Sequence, residues 1–190
     1  MIILKSLAAV AAVTLLGVLS LAAPASATVL CGEKKDPCPA AYPVGTKIAG
    51  ELRSGEKTLF TGFEDGCTES SFTAEVTKAG GSSSTVTIAF TSLSWGGCLR
   101  AKQLVKAGTM EIHQFNKSFE GRGTWTGLVY KDSFCTYTVG ATGINAAIVA
   151  GSPHAELLVE TTASAFGCPN QTWEAIFTVT APSPLYVSGS

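Results

Sequence analysis

Charged residues are scarce in this chain: they make up 14% of its 190 residues, and the formal net charge is −1. A balance this close to neutral argues against a nucleic-acid-binding protein and against a polybasic membrane binder. Histidine is also rare, since the chain contains only His113 and His154. Neither histidine has a second histidine or a carboxylate at ligand spacing, so the sequence predicts no metal site and no cofactor.

Catalytic motifs are missing as well. The chain has no G-x-S-x-G nucleophile elbow and no phosphate-binding glycine loop. A secreted hydrolase would need His113 or His154 to meet an acid and a nucleophile across space. The acidic residues Glu64, Asp65 and Glu69 are interpreted as a solvated turn, with a calcium site as the weaker alternative. The sequence therefore predicts that the protein is not an enzyme.

Long apolar runs are confined to the N-terminus. Lys5 precedes an almost unbroken apolar run over residues 6–21, and Ala25-Ser26-Ala27 follows it. This order of a positive residue, an apolar core and an A-x-A site predicts a signal peptide, 1–27. A membrane anchor is the weaker alternative, because a spanning helix needs about 20 apolar residues. Leu30 stands before Cys31 where a lipobox has a small residue, so we expect no lipid attachment.

After cleavage, we expect a single β domain over residues 28–190, secreted to the extracellular space, with no membrane insertion. The six cysteines all lie within it, and an even number in an exported chain indicates disulfides. Six cysteines allow fifteen pairings. The spacing suggests three consecutive pairs, which are Cys31–Cys38, Cys67–Cys98 and Cys135–Cys168. The chain has no C-x-x-C, which argues against a metal site.

Alternation of apolar and polar residues dominates the chain after the leader, and helical periodicity is absent. Residues 72–78 and 85–91 alternate on either side of the glycine–serine turn 80–84, which predicts a β-hairpin with one buried face. Similar runs occupy 46–52, 57–63, 108–115, 124–130, 135–139, 144–150, 155–161 and 172–180. About nine or ten short strands predict an all-β fold: a single antiparallel β-sandwich, immunoglobulin-like in architecture, with a β-barrel as the alternative.

Two stretches, 46–115 and 122–180, have similar patterns. In each, a Thr-Gly-apolar triplet precedes a cysteine, and a later segment closes on an aromatic residue, glycine and cysteine. An internal duplication of about 70 residues is one explanation of this similarity. The alternative is that two hairpins of equal length share ordinary β-strand vocabulary, and the sequence leaves both open.

Trp95, Arg100 and Lys102 are the candidate ligand contacts, because an aromatic ring flanked by cations can stack on sugars or bases. The alternative for Trp95 is packing against the neighbouring disulfide. Trp125 and Trp173 lie in alternating runs and are interpreted as core residues.

A further set of features spans most of the mature chain. A close first cysteine pair is followed by Tyr42-Pro43-x-Gly45-Thr46, and a late Cys-Pro segment leads to Trp-x-Ala and a final Pro-Leu-Tyr-Val-Ser. This combination resembles uncharacterised small secreted disulfide-rich β proteins of actinobacteria-like genomes. The resemblance implies a fold and a compartment but no activity.

These observations predict a secreted, non-catalytic extracellular or cell-envelope protein that serves as a binding or structural module. Its partner would be an envelope or extracellular ligand. A secreted small-molecule carrier is the alternative, because a sandwich or barrel can hold an apolar pocket of roughly 300–1,000 Å³. A secreted hydrolase ranks last. An exposed apolar patch, around Trp95 or the segment 184–188, would favour the binding role.

Overall fold

The computed structural model describes residues 27–61, 65–81, 85–140, 143–151 and 153–189. The predicted signal peptide lies outside this part of the chain, apart from Ala27. The described strands are β1 (Val29–Cys31), β2 (Lys47–Leu52), β3 (Thr58–Phe60), β4 (Asp65–Cys67), β5 (Glu69–Lys78), β6 (Val86–Gly96), β7 (Gln103–Lys106), β8 (Thr109–Gln114), β9 (Gly121–Thr126), β10 (Val129–Lys131), β11 (Thr136–Val139), β12 (Ala146–Val149), β13 (Glu156–Ala165), β14 (Cys168–Ala181) and β15 (Tyr186–Ser188).

No segment of these described ranges forms a helix of the length and apolarity needed to cross a bilayer.

Alternation in the sequence explains the strands. In β5, Phe72, Ala74 and Val76 are buried, while the residues between them face outward. Hydroxyl groups pair across the outer face, as Thr73 Oγ1 does with Thr91 Oγ1 at 2.7 Å. Such cross-strand pairs and the buried face together stabilise the predicted hairpin of β5 and β6.

Eight strands close into an antiparallel barrel. β2, β5, β6, β8, β9, β12, β13 and β14 pair with one another in chain order, and β14 pairs back with β2. The closing ladder places Phe177 opposite Leu52 and Val179 opposite Gly50. The predicted all-β class is confirmed, but the preferred immunoglobulin-like sandwich is wrong and the alternative barrel is correct. Alternation specifies which face of a strand is buried, whereas closure depends on which edges pair.

Large side chains fill the barrel. Trp125, Trp173, Phe72, Phe177 and Met110 are all buried inside it. The ring of Trp125 stacks on Phe90 with centroids 3.7 Å apart, and it also meets Trp173 edge-on at 5.3 Å. The barrel interior is therefore the hydrophobic core of the domain.

Segments near both chain termini cover one end of the barrel, which we call the terminal end. β1 and β15 pair there, with Leu30 opposite Val187, and both residues are buried. The N–H of Val187 donates to the carbonyl of Phe119 in the β8–β9 connection. The Cys31–Cys38 disulfide ties β1 to the following loop.

Long connections cover the opposite end, which we call the loop end. Residues 53–68 carry β3 and β4, residues 97–108 carry β7, and residues 127–145 carry β10 and β11. β3 pairs with β14, and β7, β10 and β11 form a sheet that joins β13. The Cys67–Cys98 disulfide joins the first two connections, and Cys135–Cys168 joins the third to the start of β14. The structure thus joins the same three cysteine pairs that the spacing suggested.

The two halves of the barrel have similar strand orders. Each half contributes four barrel strands, and each inserts two short strands, β3–β4 or β10–β11, after its first barrel strand, while the first half has β7 in addition. This order agrees with the duplication of 46–115 and 122–180, which stays a prediction.

Candidate functional site

The loop end contains a buried charge cluster. The Lys102 ammonium lies 2.5 Å from Asp65 Oδ2 and 3.9 Å from Asp132 Oδ2, and all three side chains are inaccessible to solvent. The second oxygen of Asp65 accepts the backbone N–H of Arg100 at 3.2 Å. Buried charges are tolerated only when they are paired and hydrogen-bonded, so this cluster joins the three long connections.

The cluster corrects the interpretation of the acidic turn. Asp65 was expected to be solvated, yet it is buried against Lys102. Glu64 lies outside the described residues, and Glu69 is exposed at the start of β5. Among the residues that the structure describes, no group of three or more His, Cys, Asp or Glu side chains is arranged to hold a metal ion.

Aromatic rings pack beside the charge cluster. Phe60 contacts Trp95, Tyr130 and Trp173 with centroids 5.5–6.3 Å apart, and Trp95 also contacts Tyr130 and Trp173. The Lys102 ammonium lies 4.8 Å from the centre of the Phe60 ring, a cation–π contact. These contacts attach the loop-end connections to the barrel core.

Tyr130 has the most strongly raised pKa among these aromatic residues. Burial raises the pKa of its phenol, and neighbouring Tyr137 and Asp132 raise it further. Its hydroxyl donates to Gln171 Oε1 at 3.0 Å. Since the neutral phenol is the form that this environment favours, Tyr130 acts as a hydrogen-bond donor and not as a base at ordinary pH.

Several large apolar side chains are exposed at the loop end, and we call the three most exposed of them, Leu99, Phe134 and Phe166, the apolar tip. Leu99 and Phe134 are 80% and 79% exposed, and Phe166 is fully exposed. Phe166 occupies the two-residue turn between β13 and β14, followed by Gly167 at φ +73°. A single exposed leucine is ordinary, whereas three such side chains on one end of a barrel are unusual in a protein without a binding partner.

Disulfides hold the apolar tip in place. Leu99 follows Cys98 directly, Phe134 precedes Cys135, and Phe166 lies two residues before Cys168. Asp132 Oδ1 also accepts the backbone N–H groups of Phe134 and Cys135, both at 2.9 Å. The turns that carry the tip are therefore fixed on their buried side, while the side chains stay exposed.

A cleft of about 500 Å³ lies next to Leu99. Leu59, which is 44% exposed, and the buried Phe60 line it together with Lys57 and Gly66. It extends the apolar surface of the loop end from Leu99 towards β3 and β4.

The structure places the three candidate ligand contacts near one another but with different exposure. Trp95 and Lys102 both contact Phe60, and the backbone N–H of Arg100 donates to Asp65, the partner of Lys102. Lys102 is buried and therefore has no access to a ligand at the surface. Trp95 is half-buried among the aromatic rings described above. Arg100 alone lies beside the apolar tip, with its guanidinium 5.7 Å from the centre of the Phe134 ring. The sequence analysis missed Leu99, Phe134 and Phe166, although each is an apolar residue within two positions of a cysteine and outside the predicted strands.

The histidines lie apart from the loop end. His113 is exposed on the outer face of β8, opposite Arg122 of β9. His154 Nδ1 lies 3.3 Å from Ser183 Oγ, a hydroxyl that also donates to the Pro153 carbonyl. No carboxylate in the described ranges hydrogen-bonds to either histidine. A serine–histidine contact without an acid gives the hydrolase hypothesis no support.

No protein-family model, curated protein or solved structure matches this chain. The function is therefore argued from the geometry of the molecule. Three disulfides join all six cysteines, which is consistent with an oxidising environment such as the extracellular space.

Proposed function

We propose that the protein is a secreted, non-catalytic binding module that contacts an extracellular or cell-envelope ligand through the loop end of its barrel. The exposed apolar tip of Leu99, Phe134 and Phe166 carries this proposal. Exposed apolar surface costs free energy in water, and contact with a ligand removes that cost.

Because the barrel is filled with side chains, a ligand site on its outer surface is favoured and a carrier site in its interior is not. Eight-stranded barrels either fill their interior with side chains or enclose one small ligand. Here Trp125, Trp173 and Phe177 occupy the interior, and terminal segments and long connections cover the two ends. A ligand at the loop end would bind without displacing this core.

Preorganisation also supports the proposal. The turns that carry the tip are cross-linked by two disulfides and attached to the buried cluster of Asp65, Lys102 and Asp132. A surface that is already ordered loses less conformational entropy when it binds, which increases affinity.

Co-sedimentation with cell-envelope fragments of the producing organism tests the proposal. We expect the protein purified from culture medium to sediment with the fragments. The variant L99S/F134S/F166S should bind at least tenfold more weakly, because each lost apolar contact removes about 1.5–3 kcal/mol.

The matched control is V44S, since Val44 is 60% exposed but lies in the loop before β2, at the terminal end. It should sediment like the wild type, and all variants should share its thermal unfolding midpoint. A wild-type protein that stays in solution, or a triple variant that sediments equally well, would contradict the proposal.

A further inference from the structure

The three residues of the apolar tip project from separate turns at one end of the molecule. The turns of Phe134 and Phe166 are joined by the Cys135–Cys168 disulfide, whose Cα atoms are 6.5 Å apart. The Arg100 contact with the Phe134 ring brings the turn of Leu99 to the same place. Side chains this exposed protrude from the surface, so they suit a soft apolar layer that they can enter.

The loop end has an excess of positive charge. Its three connections, 53–68, 97–108 and 127–145, contain six lysine or arginine residues and four acidic residues. Asp65 and Asp132 are both buried with Lys102, while Arg100 follows Leu99 directly and the exposed Lys131 lies three positions before Phe134. The loop end is therefore locally basic, although the whole chain has a net charge of −1.

We propose that the ligand of the loop end is an anionic lipid surface, which the apolar tip enters to the depth of the headgroup–acyl boundary. This inference rests on the proposed function above. Apolar side chains partition into that boundary, while Arg and Lys side chains beside them contact anionic headgroups.

Shape and charge together favour a lipid surface over a protein partner. A stable protein interface buries roughly 800 Å² on each side and needs a complementary surface with few charges at its centre. The tip instead presents three protrusions bordered by cations, which is the arrangement of an interfacial membrane contact. Binding of this kind is reversible and requires no spanning segment.

Vesicle co-sedimentation tests the inference with the purified protein. We expect binding to phosphatidylcholine vesicles that contain a quarter of phosphatidylglycerol, and at least tenfold weaker binding to phosphatidylcholine alone. Added salt should weaken the binding, because it screens the cationic contacts. The variant F134S/F166S should lose at least tenfold in affinity, since two apolar insertions are removed.

Two further variants separate the contributions. K106Q/K131Q should bind anionic vesicles roughly tenfold more weakly, with a smaller salt dependence. V44S, at the terminal end, should bind like the wild type. Equal thermal unfolding midpoints for the wild type and all variants would show that each is folded.

The outcomes distinguish this inference from the proposed function. Binding to envelope fragments that needs Phe134 and Phe166, without binding to anionic vesicles, would overturn the lipid inference and keep the binding module. Self-association through these phenylalanines, without vesicle binding, would identify a second copy as the occupant and also overturn it. Absence of binding to both vesicles and envelope fragments would overturn the inference and the proposed function together.

Discussion

Lys102 and Lys131 belong to neighbouring connections of the loop end, yet their side chains have opposite environments. Lys102 is buried between Asp65 and Asp132, whereas Lys131 is exposed on β10. Removing one partner of a buried ion cluster leaves the others uncompensated, which costs more than the cluster itself contributes. Removing an exposed lysine leaves solvated neighbours.

We expect K102M to lower the free energy of unfolding by about 3–5 kcal/mol, because Asp65 and Asp132 would stay buried without a counter-charge. Its matched control is K131M, which should change stability by less than about 0.5 kcal/mol. Urea unfolding of both variants with the disulfides intact measures the difference. Equal losses in the two variants would contradict the buried-cluster interpretation.

The sequence did not predict the buried charge cluster of Asp65, Lys102 and Asp132. Asp65 and Lys102 are 37 positions apart, and each lies in a loop where a charged residue is ordinarily solvated. The two faces of each strand were easier to assign than the loops, because alternation alone placed Phe72, Ala74 and Val76 in the core. Burial of charges depends on which loops contact one another, and local sequence patterns do not predict those contacts.

β10 and β11 form an element that the sequence outlined only in part. The alternating run 124–130 predicts one strand, but the chain turns at Gly127, where φ is +71°, and divides the run between β9 and β10. β11 matches the predicted run 135–139 closely. The Cys135–Cys168 disulfide ties this small sheet to the start of β14.

We expect C135A/C168A to cost about 3–4 kcal/mol of unfolding free energy, because the bond closes a loop of 33 positions in the unfolded chain. The Cys31–Cys38 bond closes a loop of only 7 positions, so C31A/C38A should cost only about 2 kcal/mol. Guanidinium unfolding of both variants tests the order. A larger loss for the Cys31–Cys38 pair would show that loop closure does not dominate here.

Closure of the barrel and covering of its terminal end both depend on contacts between segments that are far apart in the chain. β15 lies against β8 and β12, and Gly121 at the start of β9 gives it room. A methyl group at Gly121 would lie 2.8 Å from Ile112 Cγ2 and 2.9 Å from Val187 Cγ2. The C-terminal segment thus packs against the barrel with no space for a larger residue.

We expect G121A to destabilise the protein by about 1–3 kcal/mol, because the added methyl group overpacks β8 and β15. G140A is the matched control, since a methyl group there meets nothing within 4 Å, and its stability should be unchanged or slightly increased. Thermal unfolding of the two variants measures this. A neutral G121A would mean that the terminal segments are not packed tightly on the barrel.

The sequence by itself determined the all-β class and the buried face of the main hairpin, and its cysteine spacing suggested the three consecutive disulfides. These features are local: they follow from period-two alternation, turn residues and cysteine spacing. Tertiary structure decided that β14 returns to β2 and closes a barrel, and that Lys102 is buried while Leu99, Phe134 and Phe166 are exposed. Whole-chain charge suggested no attraction to an anionic surface, but folding buries Asp65 and Asp132 with Lys102 and leaves Arg100 and Lys131 close to the tip. Where a side chain lies depends on contacts between distant segments, and those contacts form only in the folded chain.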